Sequence, residues 1–195
     1  YRLSGSVTVN DQPATLKTRI GPSDTIVTGR RSEIVFVSGV NSYIVRDNSR
    51  LQMQGRQEGG SVITSALRLL TGRLLAVMGK APNGLRIQST TATIGIRGTG
   101  VYLEADPEQT YFCTCYGTAD IESARDPSSK ETVVATHHDK PLYILADPKA
   151  AGRNIRQAPF INHTDQELML IETLVGRAPP FVFPGDDYDA PRREY

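Results

Sequence analysis

The side chains best suited to chemistry are two cysteines and three histidines, all falling between Cys113 and His163. Cys113 and Cys115 sit in the run Phe112-Cys113-Thr114-Cys115-Tyr116. In an extended strand, side chains two residues apart leave on the same face, so both thiols project together. Two thiolates from one strand suit two corners of a tetrahedral metal site. His137 and His138 follow a run of strand-forming residues, and only one of them can share a given face if that strand continues. His163 stands immediately before a helix N-cap. One of His137 and His138, together with His163, completes a Cys2His2 set. Asp139 and Asp165 are then outer partners or substitute ligands. Ligands of this softness favour zinc or copper, as Zn(II) or Cu(I), over calcium or magnesium.

The same residues support other roles. A buried cysteine also packs as a small apolar residue. A Cys-x-Cys disulfide is strained in extended backbone because the Cβ vectors do not converge. A strained bond is easily reduced, which opens a thiol-redox role. His163 can simply staple the start of a helix, and His137 and His138 can be solvated loop residues. Elsewhere the chemistry is thin. Gly95, Gly98 and Gly100 do not open a helix, as a phosphate-binding loop requires. There is no Gly-x-Ser-x-Gly elbow and no Cys-x-x-Cys-His haem motif. Asp120 and Glu122 alternate outward as solvated strand residues, and Asp106-Pro107 and Asp126-Pro127 mark hairpin tips. No residue is assigned a catalytic role, and the expectation is a protein that is not an enzyme.

The elements that position these residues are strands. Runs such as Val7-Thr8-Val9, Thr25-Ile26-Val27, Ile34-Val35-Phe36-Val37 and Tyr43-Ile44-Val45 are bounded by Gly, Asn, Asp or Pro at short spacing. Further runs cover residues 62–64, 74–77, 85–87, 93–94, 101–103, 111–116, 132–136 and 142–145. That rhythm predicts an all-β sandwich, roll or stacked solenoid of short strands. Residues 65–70 are ambiguous: Ser65 can cap a short helical turn of good helix formers. One helix is expected near the C-terminus. Thr164 and Glu167 form a capping box, and Asp165 and Glu167 complement the helix dipole in the first turn. Leu168, Ile171, Leu174 and Val175 share one face, Gly176 ends the helix, and Pro179-Pro180 prevent its continuation. The resulting organisation is a β domain over residues 1–146, a connector and packed helix over 147–184, and a flexible tail over 185–195.

Composition bounds the function. The chain has 195 residues, is 38% hydrophobic and carries a net charge of +1. It can bury a real core, and its charge balance argues against a nucleic-acid or polybasic membrane surface. No apolar run approaches the roughly 20 residues that span a bilayer.

The stretch Ala92-Thr93-Ile94-Gly95-Ile96-Arg97-Gly98-Thr99-Gly100-Val101-Tyr102 is the most distinctive segment. Glycines inside a β-branched strand mark a bulge or a close approach, and Arg97 reads as buried. This stretch resembles the signature of the FecR domain, a run of the form A-T-I/V-G-I/V-R-G-T. Upstream, Leu3-Ser4-Gly5-Ser6-Val7-Thr8-Val9 looks like the opening strand of such domains. Residues Ile20-Gly21-Pro22-Ser23-Asp24-Thr25-Ile26-Val27-Thr28-Gly29 are similar to the family's turn-and-strand unit. The resemblance covers roughly residues 3–122. It implies a FecR-like β fold in which Gly95, Arg97, Gly98, Thr99 and Asp24 hold the architecture, with Arg97 bonding carbonyls or a carboxylate and Asp24 closing an Asx turn.

The best-known members of that family are membrane-spanning regulators of sigma factors in iron uptake. Their cytoplasmic helical segment and membrane helix have no counterpart in these residues, so their anti-sigma role is not carried over. The expectation is a stand-alone member exported from a Gram-negative bacterium, its signal peptide removed, periplasmic or extracellular. It would act as a non-catalytic scaffold for a protein or envelope component, through strand edges open to β-augmentation. Exposed edges and the aromatic, charged tail leave room for a homo-oligomer. The alternatives are a zinc- or copper-binding protein and a thiol redox protein.

Overall fold

A computed structural model of the protein describes residues 1–80, 84–147 and 153–181. The first strands are β1 (Arg2–Ser4), β2 (Val7–Val9), β3 (Gln12–Pro13), β4 (Thr25–Thr28), β5 (Glu33–Ser38), β6 (Asn41–Val45) and β7 (Arg50–Glu58). They are followed by β8 (Ser61–Val77), β9 (Leu85–Gln88), β10 (Ala92–Ala105), β11 (Gln109–Ser123), β12 (Lys130–Ala135), β13 (Leu142–Leu145) and β14 (Ile155–Gln157). One helix, α1 (Asp165–Leu174), closes the described chain. Among the described residues the architecture is therefore all-β with a single helix near the C-terminus. Pairing is antiparallel apart from β8 against β9. The expected flexible tail over 185–195 lies outside the described residues.

The strands are not uniformly short. Residues 62–64 and 74–77 belong to one strand, β8, and residues 93–94 and 101–103 to another, β10. Residues 65–70 are extended rather than helical. Leu67 and Leu69 are fully buried, opposite Met53 and Leu51 of β7. That burial overrides a helix preference worth only tenths of a kcal/mol per residue, on the order of 0.5.

The long strands change partners part-way along. β8 pairs with β7 and β9 before Gly72, and with β6 and β10 after it. β10 leaves β9 for β8 across a bulge between Arg97 and Gly100. β11 runs beside β13 first and beside β12 from Gly117 onward. At each corner stands a glycine with positive φ: Gly72 at 90°, Gly98 at 63° and Gly117 at 90°. Side chains are strained in that region, so glycine marks where one leaf of the sheet turns into the next.

Strand alternation sorts the apolar side chains into two cores. Val101, Leu103 and Phe112 point into a cluster that draws residues from nearly every strand. Their neighbours Tyr102, Tyr111, Cys113 and Cys115 point to the opposite face. There α1 covers them with Leu168 and Ile171, both fully buried, and Leu174 and Val175 pack at the margin. The helix begins as its sequence predicts. Thr164 Oγ1 accepts from the Glu167 N–H at 3.3 Å, and Glu167 Oε2 accepts from the Thr164 N–H at 2.9 Å. Gly176, at φ 71°, follows the C-cap Val175.

Candidate functional site

β11 places Cys113 and Cys115 on the helix-covered face, where both are fully buried and free of a disulfide. β12 delivers the histidine pair. After Ala135 the chain reverses around Asp139, whose Oδ2 accepts from Thr136 N–H at 2.6 Å and Thr136 Oγ1 at 2.8 Å. Asp139 thus braces a turn, and the ligand role open to it in the sequence falls away. His138 takes φ 53°, and its N–H donates to the Cys115 carbonyl at 2.9 Å. This swings the His138 ring in beside the thiols, while His137 stays partly exposed and meets Asp165. His163 arrives from the far side, on the segment leading into α1. Its ring stacks on Tyr102 at 4.5 Å and 20°.

The ligand atoms of Cys113, Cys115, His138 and His163 all lie within 4.8 Å of one another. Cys113 Sγ is 3.5 Å from His138 Nδ1, Cys115 Sγ is 3.4 Å from His163 Nε2, and those two nitrogens are 3.2 Å apart. Each imidazole is oriented from behind. His138 Nε2 faces Asp165 Oδ1 at 3.0 Å, and His163 Nδ1 faces the Ile161 carbonyl at 2.8 Å. Asp165 is itself fully buried and also meets His137 Nε2 at 2.9 Å. Phe160 packs on both inner histidines, and Phe181 on His137 and His138.

Electrostatics divide the two thiols. Burial works to raise Cys113, but the hydrogen bond from Cys115 and the adjoining His163 and His138 hold it well below the ordinary thiol value. Burial, the Cys113 sulfur and Asp165 push Cys115 well above that value. Burial opposes charge on His138, yet Cys113 and Asp165 together raise its pKa. Two chemistries fit these contacts. The four inner groups can hold a tetrahedral ion. Cys113, His138 and Asp165 alone have the connectivity of a nucleophile, a base and an orienting carboxylate. Cys113 and His138 are buried beneath α1, and Asp165 is buried at the first position of that helix.

Two polar clamps that sequence reasoning missed hold α1 over this cluster. At its start, Arg46 Nη2 meets Glu167 Oε1 at 2.6 Å, Arg46 also donates to the Asn162 carbonyl, and its guanidinium lies over the Tyr102 ring. Asn162 donates in turn to Glu104, which accepts from the Tyr102 hydroxyl at 2.8 Å. At the other end, buried Glu172 accepts from the Tyr116 hydroxyl and from Arg177 Nε, the latter at 2.7 Å. The signal available was charge in otherwise apolar strands: Arg46 directly after Tyr43-Ile44-Val45, and Glu104 within Val101-Tyr102-Leu103-Glu104-Ala105.

The motif residues sit elsewhere. Arg97 is not buried. Its side chain is 72% exposed and pairs with Asp120 at 2.8 Å, because β10 turns it outward just before the bulge. Glu122 pairs with Lys130 on the same outer face. Gly95 and Thr99 lie in β10 on either side of Arg97 and Gly98. Asp24 accepts backward from the Gly21 N–H at 2.6 Å and from Asn10 Nδ2 at 2.8 Å, so it clasps the preceding turn rather than closing an Asx turn ahead of it.

No family model and no curated protein matches the sequence. Among solved structures the chain is similar to two candidate anti-sigma factors from Parabacteroides distasonis ATCC 8503. One superposes with a TM-score of 0.52 at 8% identity, over 69% of this chain and 58% of that one. The other superposes with a TM-score of 0.54 at 9% identity, over 75% of this chain and 71% of that one. The chain therefore spans little more than half the length of the first. At these identities the likeness is one of fold.

Proposed function

We propose that this chain is an exported, non-catalytic FecR-like module that binds a protein partner. The observation that carries this reading is the fold it shares with two candidate anti-sigma factors. Two features agree with it. The only described cluster joining thiols to histidines faces inward under α1, which leaves partner contact rather than turnover to the outer surface. Among the described residues strand β12 pairs with β11 alone, so its other edge offers backbone groups to an added strand. That strand also exposes Val134, at 72% of its full area, beside Thr132 and Lys130. No helix among the described residues is long and apolar enough to cross a membrane.

Photo-crosslinking in the producing bacterium tests the reading. A photoreactive residue at Val134 is expected to give one discrete adduct. The same residue at Leu16, exposed near the opposite end of the sheet, should give none. An adduct of twice the chain mass would identify the partner as a second copy. Absence of any adduct from Val134, or equal adducts from both positions, would refute binding at this edge.

A further inference from the structure

We propose that Cys113, Cys115, His138 and His163 bind one zinc ion in a closed tetrahedral centre that fastens α1 to the sheet. Zinc–sulfur bonds of about 2.3 Å and zinc–nitrogen bonds of about 2.0–2.1 Å define the tetrahedron. Its edges are about 3.6 Å between sulfur and nitrogen and about 3.3–3.4 Å between two nitrogens, by the geometry of those bond lengths. The observed separations are 3.5 and 3.4 Å for sulfur to nitrogen and 3.2 Å for nitrogen to nitrogen. Three of the six edges thus already match one coordination shell, and the other three pairs lie within 4.8 Å.

Proton placement leads to the same ion. The Ile161 carbonyl can only accept, so His163 Nδ1 carries the hydrogen and the neutral ring turns its Nε2 lone pair inward. In the neutral His138 ring that metal ligation requires, Asp165 takes the hydrogen of Nε2, which leaves the Nδ1 lone pair facing inward. Two lone pairs then point at each other across 3.2 Å, with two sulfurs alongside. That is a pocket of four electron donors, and a cation at its centre satisfies all of them. A carbonyl or carboxylate behind each ligating imidazole is the usual outer support of zinc sites. A tetrahedral set of two sulfurs and two nitrogens is a donor set that suits zinc. On binding, each thiol coordinates as thiolate and its proton passes to solvent. The ligands come from β11, from the turn after β12 and from the segment leading into α1, so one ion ties three separate parts of the chain together.

The probe is Co(II), titrated into chain purified under reducing, metal-free conditions. The expected result is saturation at one equivalent, with sulfur-to-cobalt charge transfer, the visible bands of a tetrahedral ion, and displacement by zinc. Octahedral spectra, or no saturable charge transfer, would overturn the proposal. Cys115→Ser should abolish the charge-transfer signature of the thiolate pair, and Asp165→Asn should weaken zinc affinity about 10–100-fold in competition with a chromophoric chelator. Because Cys115→Ser could fail to fold, alkylation of the wild-type thiols by iodoacetamide gives an independent measurement. Zinc-loaded protein should react slowly, and a chelator should accelerate the reaction. Thiols that react equally with and without chelator would overturn the zinc centre, and rapid reaction in both would reveal a free Cys113–His138 nucleophile instead.

Discussion

Glu167 serves two purposes at the start of α1, and two substitutions separate them. Its Oε2 completes the capping box with Thr164, and its Oε1 meets Arg46 at 2.6 Å. The two side chains are only 14% and 17% exposed, so solvent screens the pair weakly. Burial alone would lower the Arg46 pKa, yet Tyr102 and Glu167 beside it raise it above the ordinary guanidinium value. Glu167→Gln keeps an oxygen for the cap, since either residue serves at that position. It leaves the guanidinium without its counter-charge. The loss falls between the roughly 1 kcal/mol ceiling of an exposed pair and the 3–5 kcal/mol of a fully buried one, which places Glu167→Gln at about 2 kcal/mol. Glu167→Ala also removes the capping oxygen, adding about 1 kcal/mol. In a domain of this size 1 kcal/mol moves the thermal midpoint by about 2–4 °C, so the expected drops are about 4–8 and 6–12 °C. Far-UV circular dichroism during thermal and urea unfolding provides the readout, because the chain has no tryptophan. A cycle with Arg46→Leu isolates the pair. If the two single losses simply add to within about 0.5 kcal/mol, the ion pair is not what holds the helix start and the reasoning fails.

Three further outcomes follow from the same contacts. A Cβ at Gly100 would lie 2.4 Å from the Tyr116 ring, so Gly100→Ala should cost about 1–3 kcal/mol in urea unfolding. In a Tyr116→Ala background the same change should cost little, and an equal cost there would show that the ring is not the obstacle. Arg97→Ala removes only an exposed pair, so its unfolding free energy should stay within about 1 kcal/mol of wild type; a larger loss would restore Arg97 as an architectural residue. Burial holds the Glu172 carboxyl above its ordinary value of 4.5, against the pull of Arg177. The folded chain then binds this proton more tightly than the unfolded chain. The contribution is complete below the ordinary value and is lost as pH rises through the folded one. The stability advantage of wild type over Glu172→Gln should therefore shrink as pH rises above the ordinary value of 4.5, and an advantage that widens would mean the Arg177 pair outweighs burial.

How much of this was legible depended on the range of the interactions involved. The cap of α1, its buried face and most strand cores are written in local pattern, and they could be read from neighbours in sequence. The facing of Cys113 and Cys115 followed from strand period alone. The choice of His138 over His137 did not, because it rests on a left-handed backbone at φ 53° and on the Asp139 turn. Residues 65–70 were misleading because helix propensity is weak and pairing on both sides of β8 is strong. Arg97 was misleading because strand facing just before a bulge cannot be read without knowing where the bulge falls. The clamps through Arg46 and Glu172 lay furthest out of reach, since Arg46 is 121 residues from Glu167 and Tyr116 is 56 from Glu172.

These long-range clamps bear on why α1 is present as an ordered element. It has 10 residues, fewer than the roughly 12–15 below which an isolated helix is marginal in water. Only Leu168 and Ile171 of its apolar face are fully buried. Its order therefore depends on anchors outside the helix itself: the Arg46 pair at its start, the Cys/His cluster leading into it, and the Glu172 clamp at its end. Those anchors respond to different conditions. Ionic strength and pH act on the two clamps, whereas ligation or oxidation of the sulfurs acts on the cluster. Loosening any one of them weakens the same lid, which covers Tyr102, Tyr111 and the outer core. A sealed cluster can thus influence the surface it never touches, through the free energy with which α1 stays down.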